Sequence, residues 1–330
     1  MKSNEMAVSG VVKKDRKKKI NLHSLTLYIG AVLIFVVFTI LCSFDGKNFI
    51  SFENVTNIIV QSSIIAIVAI GSSVVVLTGG IDLSVGANAG FTGMVLGMLV
   101  VAGLPIWASC ILSLAVGLGF GLLNGVGISF GKVPAFIMTL GMQGILRGAS
   151  LAINDGMPVA GFPPELGDIA NTTIFGLPIF IVYVLVLYVV MVVVMNKTKF
   201  GRYIYAIGGN VKAARLSGIN TTAVEISAYC LTGVFSALGG IFLLSRLLYA
   251  SPTAGTGYEL DAIAAAVIGG IALSGGSGKI YNTLVGALIL GTLKAGLQML
   301  NVSSAIQQMA IGCVIILAVF FDKGQERKAE

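Results

Sequence analysis

Two near-identical hexapeptides are the residues whose types and spacing point most directly to chemistry in this chain. The sequence reads GGIDLS at 79–84 and GGIALS at 269–274, and each copy interrupts a long apolar stretch in one half of the chain. A glycine pair followed by a polar residue frees backbone N–H and C=O groups, which lipid cannot satisfy but a neighbouring protein segment or a water-lined cavity can. Matching interruptions in two halves predict a transport pathway. Chance repetition in a glycine-rich chain, or close packing of helices, is the alternative explanation.

The pathway hypothesis singles out polar and glycine residues within the apolar stretches. Asp82 either lines the pathway or its gate, or it caps the helix that starts directly after it. A neutral solute needs hydroxyl and amide groups along its path, although each such group can equally form a hydrogen bond between helices. The candidates are Gln61, Gly79, Gly80, Asp82, Ser84, Asn88, Asn124, Gln143, Gly269, Gly270 and Ser274.

A second set of candidates carries charge near the predicted outer face. Arg147, Arg246 and Lys294 lie in the outer parts of their apolar segments, where they either rim a vestibule or extend to the interface. Glu259 and Asp261 belong to acidic outer loops, which suit a docking partner with basic patches. The alternative is that acidic outer loops merely complement a basic inner face.

The elements that position these residues follow from composition. Hydrophobic residues make up 56% of the chain and charged residues 11%, whereas roughly a quarter of a typical soluble domain is charged. Because a helix needs about 20 mostly apolar residues to cross a bilayer, we predict an all-α polytopic membrane bundle with about ten helices, two pseudo-repeated halves and broken helices. The segments are 25–42, 57–78, 84–102, 106–130, 134–153, 177–196, 223–250, 261–274, 280–300 and 303–321. The shortest, 261–274, is either a crossing or a broken or re-entrant helix.

Charge placement predicts the orientation of the bundle. Cytoplasmic loops of membrane proteins carry excess Lys and Arg, and ten crossings with both termini inside leave Lys47 as the one basic residue of the outer loops. The chain then divides into a basic cytoplasmic segment 1–24, one membrane domain 25–322 and a cytoplasmic tail 323–330. The net charge of +7 is explained by this orientation and by attraction to anionic lipid, so we expect no nucleic-acid partner.

The sequence offers little for catalysis or for cofactor binding. The four cysteines are scattered without C-x-x-C spacing, and one histidine cannot build a metal cluster or a triad. The phosphate-binding pattern G-x-x-x-x-G-K-[ST] is missing, since Gly278-Lys279 is followed by Ile280 and lacks the leading glycine. We therefore expect no enzyme activity, and neither a cofactor nor a metal bound by this chain.

The longest polar loop on the predicted inner side spans 197–222. In it Asn210 can cap a short helix over Val211–Leu216, and Gly218 can end that helix. Such a helix would lie across the membrane face and offer a contact for another protein. A plain basic linker is the alternative, but it leaves the Gly-Gly-Asn turn unexplained.

Several long motifs in one order carry a family resemblance. They are TGGIDLSVG at 78–86, PAFIMTLG at 134–141, GRYIYAIGGN at 201–210, ARLSGIN at 214–220, PTAGTGYELDAIAA at 252–265 and LVGALILG at 284–291. With them the chain resembles the permease subunits of bacterial ABC importers for monosaccharides, nearest to the ribose permease group. The resemblance implies a plasma-membrane protein that forms only the pathway, while ATP-Mg binds to a separate cytoplasmic ATPase subunit.

The same resemblance implies the other partners. A second permease copy or a sister permease completes the pathway, and an extracytoplasmic sugar-binding protein delivers the solute. Val211 and Lys212 depart from the acidic residue that often follows the Gly-Gly-Asn turn in this group, which leaves the choice of ATPase open. The residues similar to the ATPase-coupling loop are Gly201, Arg202, Gly208, Gly209, Asn210, Ala213, Ala214, Arg215, Ser217 and Gly218.

Two other classes of function fit the residues. An ion-coupled secondary transporter of a small polar solute could use the same interruptions, with Asp82 carrying a proton or a sodium ion. A membrane sensor or scaffold could use the inner loop to recruit a partner without transport.

Overall fold

The computed structural model describes residues 22–329, and helices form about three quarters of it. The basic cluster Lys13–Lys19 of the predicted segment 1–24 lies outside the described residues. A two-stranded antiparallel hairpin is the small exception to the helical content. The elements are α1 (Leu22–Phe44), α2 (Phe52–Leu77), α3 (Val85–Val101), α4 (Ile106–Ser129), α5 (Ala135–Ala152), α6 (Pro164–Asn171), β1 (Thr173–Ile174), β2 (Leu177–Pro178), α7 (Phe180–Lys197), α8 (Lys199–Gly209), α9 (Val211–Leu216), α10 (Thr221–Leu247), α11 (Tyr258–Ile268), α12 (Ile280–Met299) and α13 (Ser304–Ala329).

Helix α2 is the centre of the bundle. Every residue from Ser62 to Leu77 is buried, and α2 packs against α7, α10, α11 and α12. A helix that is apolar around its whole circumference has no face to offer to water, so it belongs in the core of a bundle. The interruption at 79–84 therefore follows the most enclosed helix in the protein.

The outer helices present apolar side chains to the surroundings. On α1, Val32 is 65% and Leu33 62% exposed, and α4, α5 and α7 likewise bury less than a third of their apolar windows. Within the described residues, seven helices (α1, α2, α4, α5, α7, α10 and α12) are long and apolar enough to cross a membrane, and two shorter apolar helices cover Val85–Val101 and Ser304–Leu317. The all-α polytopic fold expected from composition is confirmed.

Each of the ten predicted segments contains a helix, with two differences. Helix α11 has 11 residues, about 16 Å, which is half the thickness of a bilayer core of about 30 Å; segment 261–274 is therefore a broken helix that cannot cross a bilayer by itself. Helix α13 continues to Ala329 instead of ending near 321. The helices α6 and α8 were not predicted, because both are short and amphipathic and lie between the long apolar runs.

The bundle has two chemically distinct ends. The basic end carries the connections with Lys132, Lys197, Lys199, Arg202, Lys212, Arg215 and Lys279. The acidic end carries the opposite connections, with Asp45, Glu53, Asp155, Glu165 and Asp168. Both glycine interruptions lie towards the basic end.

Candidate translocation pathway and coupling site

The first interruption ends α2 with a Schellman turn. The Gly80 N–H donates to the Val75 carbonyl at 3.1 Å and the Gly79 N–H to the Val76 carbonyl at 2.9 Å. Gly79 has a φ of +82°, a left-handed conformation that glycine adopts without the cost borne by other residues. The turn satisfies the last carbonyls of α2, so the chain can leave the helix inside the protein.

The second interruption ends α11 in the same way. The Ile271 N–H donates to the Ala266 carbonyl at 3.0 Å and the Gly270 N–H to the Val267 carbonyl at 2.8 Å. Here Gly270 is the left-handed residue, with a φ of +83°. The chain does not enter a helix directly after this turn. Four residues follow, and then come three further left-handed glycines, Gly275, Gly276 and Gly278.

The two interruptions meet each other and the end of α8 at a point that we call the glycine junction, formed by Leu77, Gly79, Gly208, Gly275 and Gly276. The Gly276 N–H donates to the Leu77 carbonyl at 2.9 Å. A Cβ on Gly208 would collide with that same carbonyl and with the Gly276 nitrogen, and a Cβ on Gly275 would lie 2.7 Å from the Gly79 nitrogen. Three backbones are therefore in direct contact, which only glycine permits.

The short helix of the inner loop follows directly from this junction. The side-chain oxygen of Asn210 accepts the Ala213 N–H at 3.0 Å, and Gly218 stands just beyond the helix with a φ of +80°. The helix over Val211–Leu216 is thus confirmed with its predicted cap and stop. Its Ala214 is buried against the bundle, whereas Leu216 is 90% exposed.

The other residues of the predicted coupling set surround this helix. Gly201 packs against the Met195 backbone at the corner between α7 and α8. Ser217 follows α9, and its hydroxyl donates to the Ala213 carbonyl at 3.0 Å. Within the predicted coupling set, the exposed side chains are those of Arg202, Asn210, Ala213, Arg215 and Ser217.

A tyrosine that the sequence did not single out joins α8 to the second interruption. The Tyr205 hydroxyl donates to the Gly278 carbonyl at 3.0 Å. Burial raises the pKa of Tyr205, with Tyr281 adding to the effect, so the hydroxyl keeps its proton and remains a donor at physiological pH. The α8–α9 segment is thereby tied to the 269–279 connection by a side chain as well as by the glycine junction.

Asp82 lies in a closed polar cluster. The residue is 3% exposed, and its Oδ1 accepts the Ser84 N–H at 2.8 Å and the Ser84 hydroxyl at 2.6 Å. The Asn124 amide donates to the Ser84 hydroxyl at 2.9 Å. The carboxylate thus stabilises the turn that leads into α3 and, through Ser84, connects that turn to α4. The N-cap of α3 is Ser84, which makes no side-chain capping bond, so Asp82 shapes the turn before the helix, and its pathway and capping roles both stay predictions.

A second polar cluster joins α5 to the segment before α11. The Gln143 amide donates to Glu259 at 3.0 Å, and the Arg147 guanidinium donates to the Ala254 carbonyl at 2.6 Å. Non-helical backbone at this depth is permitted where protein partners satisfy it.

The prediction that Glu259 and Asp261 lie on an exposed outer loop is wrong. Glu259 is 9% and Asp261 3% exposed, and Asp261 forms an ion pair with Lys294. The Glu259 carboxylate lies against Gly86, which is in the first turn of α3. The last residue of α3 is about 22 Å from Gly86 along the helix axis. The segment before α11 therefore dips into the bundle, so neither carboxylate presents a docking surface here.

The three candidate cations do not share one vestibule. Arg147 lies in the α5 cluster, Lys294 is paired with Asp261, and Arg246 faces a separate cavity of about 450 Å³ at the acidic end. We call that cavity the polar cleft. It is lined by Ser51, Glu53, Asn54, Asn57, Gln61, Arg246, Ala295, Gln298 and Met299.

The polar cleft contains two predicted residues, Gln61 and Arg246, and several that were missed. Glu53, Asn57 and Gln61 are spaced four residues apart on α2, so they share one face of that helix. This polar spacing within an apolar helix is the signal that the sequence offered. Gln298 had no comparable signal, because it follows a long apolar run at the end of α12.

The predicted pathway residues thus fall into separate places. Asn88 donates to the Gly117 carbonyl at 3.3 Å and joins α3 to α4, while Ser274 lies in the second interruption beside Gly79. Gly79, Gly80, Gly269 and Gly270 shape the helix ends at the basic end, whereas Gln61 lies at the other end of α2. A continuous row of solute-contacting groups is not formed by these residues in this conformation.

Comparison with known proteins assigns the family. A family model described as the permease component of branched-chain amino acid transport systems matches residues 54–319. The chain belongs to this family. It is therefore a multi-pass membrane component of a transport system, and the match covers every helix that contributes to the glycine junction and the polar cleft.

Curated relatives cover almost the whole chain. The ribose import permease protein RbsC of Bacillus subtilis is 40% identical over 312 residues, 94% of this chain and 97% of that protein. RbsC of Escherichia coli K12 is 42% identical over 89% of this chain and 92% of its own length. The D-allose transport system permease protein AlsC of the same strain is 35% identical over 90% of both chains. No solved structure matches the chain.

Proposed function

We propose that this chain is the permease subunit of an ATP-driven importer in a bacterial plasma membrane, which carries a monosaccharide from an extracytoplasmic binding protein into the cytoplasm. Ribose is the favoured solute. The similarity to two ribose permeases over about nine tenths of the chain supports this choice. The family description names branched-chain amino acids, but the ribose and D-allose permeases compared above carry the names of sugars.

One structural observation carries the proposal, namely that an exposed helix is attached directly to both interruptions. Helix α9 projects Leu216 from the basic end, and the backbone immediately before it, at Gly208, touches Leu77 at the end of α2 and Gly276 after α11. A movement imposed on α9 is transmitted through backbone contacts, because the junction has no side chains that could absorb it. The ends of two core helices then move together.

The partners follow from this arrangement. A cytoplasmic ATPase subunit, which holds ATP and Mg²⁺, receives α9 in a surface cleft, and Arg202 and Arg215 face its acidic rim. The basic end and both termini are cytoplasmic. A second copy of this chain or a sister permease completes the transporter. The predicted division into 1–24, 25–322 and 323–330 is retained in this proposal.

Uptake of labelled ribose tests the function. The chain is produced with its candidate ATPase and binding protein in cells that lack their own ribose system, and ATP and the ion gradients are collapsed separately. We expect uptake that is lost with ATP and retained without the gradients. Uptake that follows an ion gradient instead would identify a secondary transporter and contradict the proposal.

The role of α9 is tested by adding bulk where the ATPase would dock. Ala213 is exposed and makes its backbone contacts within α9, so Ala213→Trp leaves the fold intact and is expected to abolish ribose uptake. Ala102→Trp places the same side chain on an exposed alanine at the other end of the bundle and is the matched control. Normal uptake by the Ala213 variant would remove α9 from the coupling mechanism.

A further inference from the structure

Five polar side chains of the polar cleft form no hydrogen bond or ion pair within the part of the chain whose side chains the structure describes. Their polar groups line the same cavity. Glu53, Asn57 and Gln298 are exposed, and Gln61 and Arg246 are half-buried, so their polar groups are open to whatever occupies the cavity. The five residues are Glu53, Asn57, Gln61, Arg246 and Gln298.

The cleft penetrates the bundle and is not confined to its surface. Gln61 lies ten positions beyond Ser51, the residue that caps the acidic-end terminus of α2, which places it about 15 Å along the helix axis. Gln61 also lies four residues inside the predicted apolar segment 57–78, about 6 Å along the helix from its start. A landing surface for a folded protein would need groups at the rim alone, whereas this row of polar groups leads inward.

The chemistry of the lining matches a neutral solute with several hydroxyl groups. Glu53 supplies acceptors and Arg246 supplies donors, so the lining carries no net charge, and the amides of Asn57, Gln61 and Gln298 each donate and accept. Sugar hydroxyls also donate and accept, and such sites are recognised by a few convergent polar groups.

A branched-chain amino acid fits the same cleft poorly. Its charged groups could pair with Glu53 and Arg246, but its side chain requires an apolar wall. Ala295 and Met299 are the only apolar residues among the nine that line the cavity. The lining also contains no aromatic ring for stacking, which suits weak contact during passage better than tight retention.

We propose that the polar cleft is a transit site for a neutral polyhydroxylated solute in the outer half of the pathway, with Gln61 on α2 and Gln298 on α12 as hydrogen-bonding residues. This inference rests on the proposed importer function. It assigns a solute-contacting role to residues on α2, α10 and α12 that is separate from the coupling role of the basic end.

Apolar replacement of the two glutamines tests the site in the complete transporter. Gln61→Leu and Gln298→Leu keep the side-chain volume but remove hydrogen bonding. At ribose concentrations below saturation, we expect each substitution to reduce the rate of ribose uptake about tenfold, which is equivalent to about 1.4 kcal/mol. Gln308→Leu is the matched control, because Gln308 is an exposed glutamine at the same end that faces a different cavity. Stimulation of ATP hydrolysis by the binding protein is measured in parallel and is expected to persist.

Each outcome separates this inference from the function itself. If the unaltered chain takes up no ribose, the proposed function is overturned. If the unaltered chain is active and both leucine variants take up ribose normally, the transit site alone is overturned. Loss of binding-protein stimulation in the leucine variants would identify the cleft as a docking surface and would also overturn the transit site.

A labelling measurement covers the case in which the leucine variants fail to insert. Gln298→Cys and, as the control, Gln308→Cys are introduced in a chain whose four native cysteines are serine, and modification by a membrane-impermeant maleimide is followed. We expect high concentrations of ribose to slow labelling at 298 and not at 308, and leucine to protect neither. Equal protection of both positions, or none at 298, would contradict the site.

Discussion

The two glycine interruptions have almost the same letters and the same type of helix end, but their glycines have exchanged roles. In the first, Gly79 takes the left-handed position, and a Cβ on Gly80 would lie 2.6 Å from the Tyr229 hydroxyl. In the second, Gly270 takes the left-handed position, and a Cβ on Gly269 would lie 2.8 Å from the Asn282 backbone. Each pair therefore needs one glycine for conformation and the other for close approach.

The residues that follow each pair make the two interruptions mechanically different. Asp82 closes the first one with two hydrogen bonds to Ser84, and α3 begins at the next residue. Ala272 occupies the corresponding place in the second and offers no side-chain acceptor. That connection instead runs through Gly276 to the backbone of Gly208 before α9. Both interruptions thus touch the backbone of Gly208, and the first is in addition closed by the Asp82 carboxylate.

The largest effect is expected where the second interruption meets α8. A methyl group in Gly208→Ala would collide with the Leu77 carbonyl and the Gly276 nitrogen, both of them backbone atoms, so the junction must separate. We expect ribose uptake to fall below detection. Gly119→Ala in α4 is the matched control, because a Cβ there meets nothing within 4 Å and Gly119 is outside the predicted coupling set, and it should retain most of the uptake. Similar uptake by the two variants would show that contact at the junction is not needed for coupling.

The exchange of glycine roles predicts opposite responses to alanine and asparagine. At Gly79 the left-handed backbone penalises both, by about 1 kcal/mol, but Asn tolerates that conformation better than Ala. At Gly80 and Gly269 space is limiting, so Asn should destabilise more than Ala. Thermal unfolding of the purified variants measures the order of stabilities. The same order at all three positions would contradict the assignment of separate roles.

These roles mark the limit of what the sequence could predict. Apolar runs, glycine pairs and the Asn210 cap depend on neighbours in the chain, so the helices, both interruptions and α9 could be located from the residues alone. Which glycine of a pair turns left-handed depends on Tyr229 or Asn282, which are remote in sequence. The burial of Glu259 was missed for the same reason, since an acidic residue after a turn gives no sign that its segment dips against Gly86.

A smaller effect is expected from the carboxylate that distinguishes the first interruption. Asp82→Ala leaves the Ser84 N–H without its acceptor inside the protein, which costs about 1–3 kcal/mol, whereas Asp82→Asn keeps an acceptor and should cost less. We expect the thermal midpoint to fall more for the alanine variant, and ATP-driven ribose uptake to survive in the asparagine variant. Loss of uptake in Asp82→Asn at unchanged stability would place Asp82 in the pathway and favour the ion-coupled alternative.

The smallest effect concerns the hydrogen bond from the Tyr205 side chain to the second interruption. Tyr205→Phe removes the hydrogen bond to the Gly278 carbonyl, worth about 0.5–1.5 kcal/mol, and should lower uptake only a few-fold because the glycine junction remains. Tyr203→Phe, two residues away on α8, removes a hydroxyl without that bond and is the control.

Because burial raises the pKa of Tyr205, the bond is fully present below the ordinary tyrosine pKa of about 10 and is lost only as pH rises through the higher folded value. The difference between the two variants should therefore stay constant from pH 6 to about 9. If the difference in uptake between the two variants grows across that range, another titrating group controls the contact. If the two variants show no difference in uptake, the hydrogen bond of Tyr205 is not needed for coupling.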